Sequence, residues 1–64
     1  MTSDIVFNQW LINLESHMDA DLSDFMGILY KWFESDGFTI EETAYKIKTE
    51  KSPICSVIRS AIGM

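Results

Sequence analysis

One cysteine and one histidine in 64 residues decide much of what this chain can be. Cys55 has no second cysteine to pair with, and with His17 as the only histidine no Cys/His zinc set can be assembled. In a chain this short, apolar burial roughly cancels the ordering cost of about 1.5 kcal/mol per residue. Without a staple, stability must come from dense packing or from association. Hydrophobic residues make up 47% of the chain, including two Trp, two Tyr and four Phe, which is generous for one small core. We therefore expect a single domain with a dense core and some apolar surface left over.

The same cysteine usage suggests a reducing compartment, because small secreted domains normally carry several bridges. Asp4 and Glu15 bracket the first apolar stretch and no basic region precedes it, so a signal peptide is not expected. No run of about 18 apolar residues is available to span a bilayer. A cytoplasmic location and no membrane partner follow as expectations.

Punctuation divides the chain into four short helices, and no segment alternates as a strand would. The first is expected over about 3–18, with Ser3 as N-cap and Asp4 in its first turn. The second is expected over about 22–35, ending at Gly37 as the C′ residue. Thr39-Ile40-Glu41-Glu42 has the form of a capping box and opens a third helix over about 40–48. Ser52-Pro53 opens the fourth, over about 53–62, with proline where its missing N–H costs nothing. The fold class is thus all-α, a compact four-helix domain.

Placing residues at 100° per step assigns faces. Val6, Phe7, Trp10, Leu11, Leu14 and Met18 share the inner arc of the first helix. Ile5 and Ile12 fall nearly opposite, among Asn8, Gln9, Glu15 and Ser16. The second helix is apolar over more than half its circumference, so it is expected at the centre of the fold. Ile40, Ala44 and Ile47 face inward on the third helix while Tyr45 faces out. Ile54, Val57, Ile58, Ala61 and Ile62 form the inner face of the fourth, with Cys55 at its margin as a small buried hydrophobe.

Catalysis is not expected. Nucleophilic chemistry needs a base beside a Ser or Cys and a third group to orient it, and His17 lies at the edge of a core arc. The three glycines are scattered, so no phosphate-cradling loop is formed. Asp19-Ala20-Asp21-Leu22-Ser23-Asp24 begins like a calcium loop, but its sixth position is Asp24 and its twelfth Tyr30, where glycine and glutamate are required. It reads as an acidic turn that caps the second helix. No metal or cofactor is expected.

Ala44 followed by Ile47, Ile54 and Val57 has the spacing of a repressor-type helix-turn-helix, which Thr39 to Ile62 resembles. The resemblance covers about a third of the chain, with Lys48 at the usual turn glycine and a loose Lys48-Thr49-Glu50-Lys51 connection. It implies a tri-helical core of helices two to four, acting as a DNA-binding dimer. It also implies a reading face of Ser52, Ser56, Arg59 and Ser60, with Lys46, Lys48 and Lys51 near phosphates.

Charge and surface favour a different partner. The net charge of −5 comes from residues 1–30, which hold Asp4, Glu15, Asp19, Asp21 and Asp24 with no Lys or Arg, while the remainder balances five acids against five bases. Nucleic acid is repelled overall unless a local patch prevails. Ile5 and Ile12, at i and i+7 on the wrong side of their helix, and outward Tyr45 point to contact with another protein, with Asp19, Asp21 and Asp24 at its rim. The leading expectation is a non-enzymatic protein-binding regulator or inhibitor that also forms a homodimer. Small acidic chains of this kind are common among phage and mobile-element proteins. The helix-turn-helix regulator is the alternative, and an acidic DNA mimic the third reading.

Overall fold

A computed structural model describes the backbone of residues 2–63 and the side chains of residues 5–63. Four helices pack into one body: α1 over Thr2–Met18, α2 over Met26–Glu34, α3 over Ile40–Thr49 and α4 over Pro53–Ile62. A single 3₁₀ turn, Ser23–Phe25, leads into α2. The all-α four-helix architecture read from the sequence is the one observed. α1 begins at Thr2, so Ser3 is already helical in backbone and does not precede the helix as a cap; the side chains of Ser3 and Asp4 lie outside the described residues.

Each helix boundary has a local cause. α1 stops where Asp19 takes a left-handed conformation, φ 54°. The Asp19 and Ala20 N–H groups then return to the carbonyls of Ser16 and Glu15, the paired bonds of a Schellman close. The end of α2 is turned by Gly37 at φ 66°, the conformation a glycine adopts without Cβ strain. The capping box at α3 forms as its sequence dictates. The Glu42 N–H donates to Thr39 Oγ1 at 3.1 Å, and the Thr39 N–H donates to Glu42 Oε1 at 2.9 Å. Pro53 is the first residue of α4, and Gly63, φ 79°, ends it.

The core comprises Phe7, Leu11 and Leu14 of α1, Leu22 of the turn, Leu29 and Trp32 of α2, Ala44 and Ile47 of α3, and Cys55 and Ile58 of α4. Its arrangement differs from expectation in one respect. The central helix is α3, packed mainly against α1 and α4, and α2 rests chiefly on α1. The three-helix core is therefore α1, α3 and α4, in place of the implied trio of helices two to four. The apolar segment from Leu22 spends its first turn as 3₁₀, so α2 itself is nine residues long.

Much of the wide apolar arc of α2 is used against α1 in an aromatic cluster. Phe7 meets Tyr30 edge-on at 4.9 Å and Phe33 at 5.6 Å, while Trp10 lies 5.3 Å from Phe33. Such pairs are worth about 0.5–1.5 kcal/mol each beyond burial.

Three inward assignments are corrected. Val6 is 50% exposed and Val57 54%, and Ala61 is also exposed. α4 is rotated so that Cys55, fully buried, takes the inner position with Ile58. Ile54 and Ile62 flank them, half-buried.

Candidate protein-binding face

The α1–α2 connection is held by carboxylates. Glu15 Oε2 accepts the Leu22 N–H at 2.7 Å across seven residues, closing the loop. Asp21 Oδ1 accepts the Ser23 N–H at 2.9 Å and so caps the 3₁₀ turn. That backbone bond, helped by the Ser23 hydroxyl and by Glu15, holds the Asp21 carboxyl below its ordinary value. Asp19 supplies the left-handed residue. Of the three turn acids singled out in the sequence, only Asp24 is exposed without such a structural task in these contacts.

Ile5 is 71% exposed and Ile12 57%, on the side of α1 turned away from Phe7, Leu11 and Leu14. Tyr45 is also 71% exposed, on the outer face of α3. Because α1 and α3 pack through their inner faces, their outer faces point apart. Tyr45 therefore belongs to a different surface from the isoleucine pair.

The sequence did not reveal a groove beside that pair. Phe7 and Asn8 of α1 and Met26, Gly27 and Tyr30 of α2 line an open depression of about 430 Å³. Asn8 lies between Ile5 and Ile12 by helical spacing, three residues from one and four from the other, so the groove and the isoleucines form one surface. Met26, part of the broad apolar arc of the second helix, is 41% exposed here. The only sequence signal for the groove is Gly27, a small residue within an otherwise bulky helix.

The residues of the helix-turn-helix reading are split. The Arg59 guanidinium donates from Nη1 to the carbonyls of Ile47 and Glu50, both at 2.6 Å, and from Nη2 to Ser56 Oγ at 3.2 Å. It thereby binds the C-terminal end of α3 to α4, where the helix dipole favours a cation. Lys46 Nζ is 2.6 Å from Glu50 Oε2 and lies over the rings of Trp32 and Phe38, at 5.3 and 5.7 Å. Its bond to Glu50 holds that carboxyl below its ordinary value. Lys48, Lys51, Ser56 and Ser60 are exposed, and Ser52 is half-buried. Two of the four cations assigned to DNA are thus engaged within the fold.

Cys55 is buried and free. Among the described residues no group of three His, Cys, Asp or Glu is placed to hold a metal, and no helix is long and apolar enough to cross a membrane. Comparison with family models, curated proteins and solved structures returned no match.

Proposed function

We propose that this chain is a small protein-binding module, a regulator or inhibitor that works by occupying another protein through the outer face of α1. The observation that carries the reading is the joint exposure of Ile5 and Ile12, two large apolar side chains at i and i+7 with α1's core contacts on the opposite side. A lone exposed isoleucine is ordinary. Two in line along a helix, continuous with an apolar groove, make the kind of ridge that helix-in-groove recognition uses. The engagement of Lys46 and Arg59 inside the fold favours this reading over DNA binding.

The test is co-purification from the native source with wild-type chain and with Ile5→Asp and Ile12→Asp, alongside solution mass by light scattering. Both substitutions fall on exposed positions, so helicity by circular dichroism should persist. Loss of association, with a partner or with another copy, is expected in both. Association unchanged in both variants removes this face from the function.

A further inference from the structure

Of the aspartates in the chain, only Asp36 is followed by glycine, and the Asp36-Gly37 pair lies in the bend between α2 and α3. We infer that Asp36-Gly37 is a modification site at which the backbone rearranges without an enzyme, converting Asp36 through a cyclic imide to isoaspartate. The Gly37 nitrogen attacks the side-chain carboxyl carbon of Asp36. A new N–C bond closes the succinimide ring, and the carboxyl hydroxyl leaves with the N–H proton as water. A second water then opens the imide. Opening at one carbonyl restores aspartate, and opening at the other leaves the main chain running through the former side chain. Water is the only co-reactant.

The attacking nitrogen is free at Asp36 and engaged at the turn aspartates. The Ala20 N–H, after Asp19, donates to the Glu15 carbonyl at 3.1 Å. The Leu22 N–H, after Asp21, donates to Glu15 Oε2 at 2.7 Å. The Phe25 N–H, after Asp24, donates to the Leu22 carbonyl at 3.0 Å. Asp4 lies within α1, with its side chain outside the described residues. At the end of α2 the hydrogen bonds pass over Gly37. The Asp36 N–H donates to the Lys31 carbonyl at 3.3 Å and the Phe38 N–H to the Trp32 carbonyl at 3.1 Å. Among the described residues the Gly37 N–H between them donates to no carbonyl.

Access favours the same position. Asp36 and Gly37 are both exposed and belong to neither helix. Gly37 has no side chain, and a Cβ built there meets no atom within 4 Å, so nothing crowds the nitrogen. The Asp36 carboxylate is 3.6 Å from Lys31 Nζ, a surface pair of the kind that restrains a side chain little. The rearrangement would insert a methylene into the main chain directly before Phe38, which packs against the core, and Thr39, which opens the α3 capping box. The isoaspartyl form is therefore expected to melt at a lower temperature.

The test is incubation of the folded full chain at physiological temperature in mildly acidic buffer, which supplies the neutral carboxyl that the step requires. Peptide mapping by mass spectrometry locates products of unchanged mass and altered retention, and an isoaspartyl methyltransferase counts them. Isoaspartate is expected at residue 36 at least about tenfold faster than at Asp19, Asp21 or Asp24, a ratio that needs only a modest difference in barrier. Asp36→Glu, whose longer side chain disfavours the ring, should abolish it with the melting temperature unchanged. Asp36→Asn should react by the same attack with loss of ammonia, outpacing Asn8 and Asn13, which lie inside α1. Equal rates at Asp36 and the turn aspartates overturn the inference, as does an Asp36→Asn chain that reacts no faster than at Asn8 and Asn13. Rearrangement at residue 36 in urea but not in the folded chain also overturns it, because the bend would then protect the site.

Discussion

Two residues hold conformations or burdens that a substitution should relieve. Asp19 closes α1 at φ 54°, where a residue with a Cβ is disfavoured by about 1–2 kcal/mol and aspartate is only partly excused. Asp19→Gly should raise the unfolding free energy by about 0.5–1 kcal/mol, measured as a higher urea midpoint at unchanged slope; a lower midpoint would mean that its carboxylate does more in the turn than the backbone shows. Thr43 is fully buried and its hydroxyl has no hydrogen-bond partner. An unpaired buried hydroxyl costs about 1–3 kcal/mol in proteins, so the near-isosteric Thr43→Val should stabilise, by about 1 kcal/mol after losses in helix propensity. Thermal melts of the pair resolve it, since a core that needed the hydroxyl would melt earlier as valine. Neither burden was visible in the sequence. Asp19 read as one acid among several because the path of the chain after Met18 decides which residue turns left-handed, and Thr43 lies between the Glu42 of the capping box and Ala44, where a threonine is unremarkable.

At the scale of elements, the parts legible in the sequence are those settled within a few residues. The Thr39–Glu42 box, the Gly37 stop and the Ser52-Pro53 start depend on local bonds alone, and all three appear where the residues place them. The outward positions of Ile5, Ile12 and Tyr45 were legible for the same reason, since helical phase fixes them once the opposite side is the core. What periodicity cannot supply is which neighbour covers an apolar flank. Val6 and Val57 lie on such flanks and stay exposed, and the broad arc of α2 does not say whether it turns to α1 or to α3. The Arg59 clamp belongs to this class: a cation on α4 finds the end of α3 only once the two helices cross. Arg59→Ala leaves the Ile47 and Glu50 carbonyls without their charged donor. Bonds to charged groups contribute about 1.5–3 kcal/mol, and Arg59 is half-exposed, so a loss near the lower end, about 1.5 kcal/mol, is expected in equilibrium unfolding. Wild-type stability in this variant would return Arg59 to the list of residues free to meet a ligand.

The whole molecule is closed on itself. Its accessible surface of 4155 Å² compares with about 4200 Å² expected for a monomeric protein of this mass. Its stability must nevertheless be modest, because a domain of about 60 residues buries only about 60% of its unfolded surface. Whether four helices then open together or one at a time depends on α4, whose main neighbour is α3 alone. Cys55 is a built-in probe of that question. Its thiol is completely buried on the inner side of α4, so a thiol reagent can reach it only when α4 leaves the core. If the Arg59 clamp and Ile58 hold α4 as firmly as the core holds the rest, labelling occurs only through global unfolding. The protection free energy from labelling under rapid reclosing then equals the unfolding free energy from urea. Labelling that proceeds much faster than global unfolding allows would show α4 detaching as a separate unit. In that case Arg59→Ala should accelerate labelling far more than it lowers global stability, because the clamp would be acting on one helix and not on the fold.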